Sequence, residues 1–118
     1  MHQELINETL ESMKDYVPKL VAASEKIAQD IQSHQGGWVD IFIAYSEGMV
    51  WLTQAISGIQ QLDQQILKDW DVAALAPLIS QLNIALEQED FVSLCDLLEY
   101  EMKPLLLSYD DKLKRLVH

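Results

Sequence analysis

The sequence predicts an all-α protein, a four-helix up-down bundle in which helices 1, 2 and 4 are long and helix 3 is short. Apolar residues recur with the helical period in every segment of ten or more residues, and no segment alternates as a strand does. Only four glycines and three prolines occur, which disfavours a turn-rich β fold. Short connections between the predicted helices favour antiparallel neighbours, and therefore the up-down order.

Composition restricts the size and the class of partner. The 118 residues suit a single helical-bundle domain spanning residues 1–118. Acidic residues outnumber basic ones 19 to 8, giving a net charge of −11. We expect no nucleic-acid partner, because binding to a phosphate backbone depends on clustered Lys and Arg.

Two further features concern location. The chain begins without a basic stretch followed by an apolar run, so we expect no secretory signal, and a single cysteine gives no sign of an oxidising compartment. The most apolar window, residues 38–52, carries Asp40 and Glu47 and is too short and too charged to span a membrane. These features predict a cytoplasmic protein without membrane insertion.

Helix 1 is predicted from about Gln3 to Ser33. Pro18 lies inside it and lacks a backbone donor, so we expect a kink, in preference to a break, near Tyr16. The two glycines 36 and 37 end the segment. Its predicted core face consists of Ile6, Leu10, Met13, Val17, Leu20, Ile27 and Ile31.

Helix 2 is predicted from Trp38 to Leu67 and is the helix around which we expect the others to pack. Its glycines, Gly48 and Gly58, lower helix stability and suggest close approach of a neighbouring backbone. The core face of this helix is predicted to contain a seven-residue repeat and the residues between: Trp38, Tyr45, Leu52, Ile59, Ile66, Ile41, Phe42, Gly48, Met49, Ala55, Ile56 and Leu62.

A second apolar surface, the α2 patch, lies beside a polar line on helix 2 and consists of Val39, Ile43, Val50 and Trp51. A helix with apolar groups on both sides of a polar line is either sandwiched between neighbours or exposes an adhesive surface. Central bundle helices commonly show this pattern, which favours the sandwiched arrangement for helix 2. The polar line contains Asp40, Glu47, Gln54, Gln61 and Lys68.

Helix 3 is predicted from about Leu75 to Glu87, with Asp69 or Asp71 as its N-cap. Asp90 is placed to cap helix 4, and Pro104 should bend that helix near Tyr100. The predicted core face of helix 4 contains Phe91, Leu94, Cys95, Leu98, Met102, Leu105, Leu106, Tyr109, Leu113 and Leu116.

Unequal helix lengths identify a candidate binding surface. Helix 3 is roughly 20 Å long against about 40 Å for the others, so it cannot cover the whole bundle. Either the kinked halves of helix 1 or helix 4 cover the α2 patch, or a second copy of the protein or an amphipathic client helix packs there. Our hypothesis is the second arrangement, with Trp51 as the anchor.

Motifs for catalysis or cofactor binding are absent from the sequence. No Glu-x-x-His, phosphate-binding glycine pattern or plausible set of metal ligands occurs, so we expect no metal and no cofactor. Cys95 lies on an apolar face and is predicted to be a core residue. Candidates for a catalytic carboxylate are Glu47 and a group on helix 4 that contains Asp96, Glu99 and Glu101.

The run from Glu89 to Leu106, Glu-Asp-Phe-Val-Ser-Leu-Cys-Asp-Leu-Leu-Glu-Tyr-Glu-Met-Lys-Pro-Leu-Leu, resembles a segment of small uncharacterised all-helical bacterial proteins. This resemblance implies a bacterial, helical and non-enzymatic protein and adds no functional residues.

The sequence therefore favours a non-enzymatic protein–protein interaction module, whose partner is another protein or a second copy. One alternative is a small acidic export or assembly chaperone that masks an amphipathic helix of a client. Another is an enzyme that uses a carboxylate near Glu47.

Overall fold

A computed structural model describes residues 2–70 and 72–117 and confirms the all-α four-helix fold. The part of the chain that it describes contains no strand and measures 48 × 24 × 20 Å. The helices are α1 (His2–Gln32), α2 (Trp38–Leu62), α3 (Leu75–Glu87) and α4 (residues 91–116), and a 3₁₀ turn, Val72–Ala74, precedes α3.

Helices α1 and α2 run antiparallel and share most of the core. Early in α1, the ring of Tyr16 meets that of Trp51 edge-on, with centroids 5.4 Å apart. Later in α1, the hydroxyls of Ser24 and Tyr45 lie 2.8 Å apart. Because the later residue of α1 pairs with the earlier residue of α2, the two helices point in opposite directions.

Helix α1, not α2, makes the most extensive contacts with the other helices, although it does not contact α3. It packs along α2 and along the full length of α4, whereas the backbone of α2 closely approaches only α1, α3 and the 3₁₀ turn among the described elements. Near its start, Lys14 donates to the Val117 carbonyl at 3.4 Å, and near its end the Ala28 carbonyl accepts from the thiol of Cys95 at 3.8 Å. The sequence-based expectation that α2 is central was wrong.

Helix α2 also ends five residues earlier than predicted, at Leu62 instead of Leu67. Asp63 adopts an extended conformation, with φ −147° and ψ 110°, and its carboxylate accepts a hydrogen bond from the Gln65 N–H at 2.9 Å. This local side-chain bond offers the backbone an alternative to the helical ladder and ends the helix. Leu62, predicted to be in the core, is exposed as a result, and Ile66 lies outside the helix.

The connection after α2 is held against the bundle by buried apolar side chains. Leu67 and Trp70 are buried, and the Trp70 ring stacks on Tyr109 of α4 at 4.6 Å with the planes 2° apart. The N-cap of α3 is Ala74, without a side-chain hydrogen bond, so the predicted cap by Asp69 was wrong. Asp71, the other candidate cap, lies outside the described residues.

Helix α4 begins as predicted and changes its winding in the middle. The Asp90 carboxylate accepts the Ser93 N–H at 3.2 Å, which confirms the cap. The helix is α-helical over Phe91–Asp96, π-helical over Leu97–Met102 and α-helical again over Lys103–Leu116. These π-helical turns include Tyr100, near which a bend was predicted, and the bend itself stays a prediction. The wider turns precede Pro104, which cannot donate a backbone hydrogen bond.

Helix α1 continues through Pro18 without a break. The kink expected near Tyr16 stays a prediction. The predicted core faces of α1 and α4 are largely confirmed, except that Phe91 and Leu116 at the ends of α4 are exposed. The buried core unites residues from all four helices and the connection after α2, among them Met13, Ile27, Phe42, Leu52, Leu67, Leu75, Leu82, Leu94, Leu106 and Leu113.

Candidate functional site: the outer face of α2

The four residues of the α2 patch all lie on the surface of the monomer. Val39, Ile43, Val50 and Trp51 keep 45%, 51%, 46% and 38% of their surface exposed. Neither α1 nor α4 folds over them. The sandwiched arrangement that the pattern favoured was therefore wrong, because α2 has close helical neighbours on only part of its circumference and α3 is too short to cover the rest.

Trp51 is held in place by the neighbouring helix. Its indole and the Tyr16 ring form an edge-to-face pair, with the two planes 83° apart. Edge-to-face aromatic pairs are worth about 1 kcal/mol beyond their buried area. The Trp51 ring is therefore partly ordered before any partner arrives, which lowers the entropy lost when a partner packs on it.

The outer face of α2 is the surface formed by the α2 patch and the polar line beside it. The charged side chains of α2 on this face are all acidic. Asp40 and Glu47 are exposed between the apolar residues, and no Lys or Arg occurs between Lys26 and Lys68. The predicted polar line is thus a solvent-facing line along α2, although Lys68 falls in the turn after the helix. No ion pair to Asp40 or Glu47 is formed within residues 2–70 and 72–117.

Two apolar grooves flank this face. The α1–α2 groove, of about 460 Å³, lies between the first part of α1 and the second part of α2. Its apolar rim includes Leu5 and Leu62, which are 53% and 38% exposed, and Glu8 is the charged residue among its lining side chains. The lining consists of Leu5, Ile6, Glu8, Thr9, Ser12, Trp51, Gln54, Ala55, Gly58, Ile59 and Leu62.

The α2–α3 groove lies on the other side of α2 and has a volume of about 610 Å³. Val50 of the α2 patch and the exposed Ile84 of α3 contribute apolar surface to it. The charged group in its lining is again acidic, Glu87. Both grooves therefore combine an apolar floor with a carboxylate at the rim.

The sequence identified the α2 patch but missed both grooves. Leu5 is not part of the predicted core face of α1, and no role was predicted for Ile84 of α3. Their relation to α2 depends on how the helices pack, and the helical period of one segment carries no such information. Leu62 was assigned to the core because the end of α2 was placed too late.

The two glycines of α2 differ in their surroundings. A Cβ atom on Gly48 would lie 2.9 Å from Cε2 of Tyr16, so this glycine gives room for a neighbouring side chain, not for a backbone as predicted. A Cβ atom on Gly58 would meet nothing within 4 Å. The prediction of a close neighbour is therefore wrong for Gly58 within the monomer.

The carboxylates considered for catalysis lie on the surface. Glu47, Asp96 and Glu101 are exposed, and Glu99 is half-buried. Asp96, Glu99 and Glu101 all lie on α4 in or next to its π-helical turns, whereas Glu47 lies on the outer face of α2. The structure does not bring Glu47 together with this group.

Cys95 is a buried core residue, as predicted. Burial raises the pKa of its thiol, and the negative charges of Glu99 and Asp96 raise it further. A raised pKa lowers the thiolate fraction at neutral pH and therefore disfavours reaction as a nucleophile.

A buried polar pair lies between α1 and α2 and was not identified from the sequence. The Tyr45 hydroxyl is hydrogen-bonded to the Ser24 hydroxyl. The Ser24 hydroxyl also donates a hydrogen bond to the Leu20 carbonyl, at 3.0 Å. Burial raises the pKa of Tyr45 to about 12, and the hydrogen bond with Ser24 acts in the opposite direction. This pair supports the fold beneath the outer face and is not part of the candidate site.

Within residues 2–70 and 72–117, no three His, Cys, Asp or Glu side chains are grouped so that they could hold a metal ion. None of the helices in this part of the chain combines the length and the apolarity needed to cross a lipid bilayer.

The fold and this surface define the class: an acidic, all-α helical bundle with an uncovered apolar face on one helix. The chain belongs to the family described as Domain of unknown function (DUF8042), whose model matches residues 8–112. The match reaches from α1 to α4 and includes the segment 89–106 discussed above. Neither a curated protein nor a solved structure matches the chain.

Proposed function

We propose that this protein is a non-enzymatic protein–protein interaction module whose binding surface is the outer face of α2. The observation that supports the proposal most directly is the exposure of all four residues of the α2 patch on one helix. Contiguous apolar surface on a folded monomer commonly marks an interaction site. Trp51 is the proposed anchor, because large aromatic side chains dominate the energetics of many interfaces.

A chaperone that masks an amphipathic helix of a client is the narrower form of this proposal. The two apolar grooves on either side of α2 favour it, because helix-in-groove recognition places the apolar face of a bound helix in such a channel. In this form the client helix would be protected from aggregation until it reaches its assembly site. A cytoplasmic location is part of this proposal.

The test compares the α2 patch with an equally apolar surface elsewhere. The patch variant carries Ile43→Ser and Val50→Ser, and the matched control carries Val92→Ser and Leu107→Ser on α4, where both side chains are exposed. Each protein is immobilised and exposed to extract from the source organism, and the retained proteins are identified by mass spectrometry. Light scattering gives the solution mass of each protein in parallel.

We expect a defined protein, or a second copy, to be retained by the wild type and the control and lost by the patch variant. Loss of two apolar contacts at an interface weakens binding by roughly tenfold or more. If circular dichroism shows both variants folded, and neither the retained proteins nor the solution mass differs between them, the outer face of α2 is not the binding surface.

A further inference from the structure

Gly58 lies in the interior of α2, and no contact within the monomer requires a glycine at this position. It lies four residues before the end of α2, where alanine would favour the helix more. Gly48 is explained by the ring of Tyr16, but nothing within 4 Å would touch a Cβ atom on Gly58. The missing side chain instead leaves open the floor of the α1–α2 groove.

The groove at Gly58 is long enough to bind a helix of a partner protein. From Trp51 to Leu62 it follows α2 for roughly 16 Å, about three helical turns. Its floor contains Ala55 and Gly58, and its edges carry the larger apolar side chains of Leu5 and Trp51. Helix axes approach most closely where the contacting side chains are small, so a helix in this groove would pack nearest at Gly58.

The charge around the groove specifies the partner. Glu8 lies on the rim, and Glu4 and Glu11 are exposed on the same part of α1. On the side of α2, Glu47 is exposed and no Lys or Arg occurs in the helix. An apolar channel with Glu8 on its rim, and with further exposed carboxylates nearby on both helices, complements a helix that has an apolar face bordered by Lys and Arg.

The same charges disfavour a second copy as the occupant. Each copy carries a net charge of −11, and two copies joined through this face would bring the exposed carboxylates of both copies together. The basic cluster of Lys112, Lys114 and Arg115 lies near the end of α4, where Lys114 and Arg115 already form ion pairs with carboxylates of their own helix.

We infer that the α1–α2 groove binds a cationic amphipathic helix of a partner protein, with the closest backbone approach at Gly58. This inference rests on the proposed function and adds the position of the binding site and the chemical class of the partner. The α2 patch then forms the extension of the interface beyond Trp51, which belongs to both surfaces.

The test uses a synthetic amphipathic peptide as the probe. A fluorescent Leu/Lys peptide of about 14 residues, roughly 21 Å long as a helix, is titrated with the wild-type protein and followed by anisotropy. Its twin has the same leucines with Glu in place of each Lys. The variants are Gly58→Ala and Gly58→Leu, with Gly36→Leu as the matched control, because a Cβ atom on Gly36 also meets nothing within 4 Å.

We expect the Leu/Lys peptide to bind the wild type and the Leu/Glu peptide to bind at least about tenfold more weakly. Gly58→Ala should raise the melting temperature by about 3 °C, since it improves the helix without a clash, and should weaken binding. Gly58→Leu should weaken binding by about tenfold or more, and Gly36→Leu should leave it unchanged. A Glu8→Lys substitution should weaken binding of the Leu/Lys peptide and strengthen binding of the Leu/Glu peptide.

Several results would overturn the inference. These are absence of binding by the Leu/Lys peptide, equal binding of the twin, or binding that Gly58→Leu leaves intact in a folded protein. A dimer in light scattering that Gly58→Leu converts to a monomer would identify a second copy as the occupant and overturn the cationic partner. If the Ile43→Ser, Val50→Ser variant no longer binds the peptide but Gly58→Leu still does, the proposed function stands and only the placement of the binding site in the α1–α2 groove is wrong.

Discussion

At the scale of single residues, the buried Tyr45 hydroxyl shows how the core of this bundle handles a polar group. Ser24 supplies its hydrogen-bond partner, and the Ser24 hydroxyl in turn donates to the Leu20 carbonyl of the previous turn. A buried hydroxyl without a partner is destabilising, so both residues are needed together. Tyr45 was predicted to be in the core from its place in the seven-residue repeat, but a repeat does not identify the partner of its hydroxyl.

Tyr45 should make the stability of the protein depend on alkaline pH. Its pKa is raised from 10.0 to about 12 in the folded state, so the folded state keeps the proton while the unfolded state loses it. The contribution is fully present below pH 10 and is lost as the pH rises towards 12. The expected loss is roughly 2 to 3 kcal/mol in the free energy of unfolding across this range.

The measurement is urea unfolding of the wild type and Tyr45→Phe at a series of pH values. Near neutral pH the variant should be less stable by about 1 kcal/mol, because one hydrogen bond is lost. The difference should shrink above pH 10 and reverse sign as the pH approaches 12, because the expected loss exceeds about 1 kcal/mol. Tyr100→Phe, which removes an exposed phenol, is the control. A constant difference between wild type and Tyr45→Phe up to pH 12 would contradict the expectation.

At the scale of elements, the end of α2 shows where sequence reasoning reached its limit. The apolar period continues through Ile66 and Leu67, and this continuation led to a helix five residues too long. Leu67 is indeed buried, but it is presented by a turn. A turn of suitable shape can place an apolar side chain in the same position as a helix, so periodicity alone does not distinguish the two. The signal in the sequence was Asp63, a residue that competes for backbone donors.

Gln60 is the side chain that fastens this turn. Its Nε2 donates to the Leu67 carbonyl at 2.9 Å and to the Trp70 carbonyl at 3.1 Å. Gln60→Ala should lower the free energy of unfolding by about 1 to 2 kcal/mol, because two carbonyls lose a donor. Hydrogen exchange should speed up mainly in residues 63–70. The exposed neighbour Gln61→Ala is the control. Equal stability and equal exchange in the two variants would show that the turn does not depend on Gln60.

At the scale of the whole molecule, the sequence predicted the class, the number of helices and the core faces, because each depends on local periodicity. Periodicity alone did not predict that α1 makes the most extensive contacts or that the α2 patch is uncovered. These properties depend on how far α3 and α4 extend around the bundle, and a helical period is the same for a side chain that faces a neighbour and one that faces solvent. The uncovered patch followed only from comparing helix lengths.

The net charge of −11 on a molecule 48 Å long should make the fold sensitive to ionic strength. Raising the salt concentration from about 0.01 M to about 0.1 M shortens the screening length from roughly 30 Å to roughly 10 Å, which weakens repulsion across the bundle. We expect the melting temperature to rise with sodium chloride over this range. A melting temperature that falls would mean that the ion pairs within and between the helices outweigh the repulsion.

The lack of Lys and Arg between Lys26 and Lys68 has a practical consequence for work with this protein. Reagents that modify amines act on lysine side chains and the terminal amine, so they leave the whole of α2 without a covalent mark. Coupling the protein to a sensor surface through its amines therefore attaches it by residues outside the outer face of α2. Trypsin, which cleaves after Lys and Arg, releases residues 27–68 as one peptide, and cross-links to a partner on this face will be found in that single fragment.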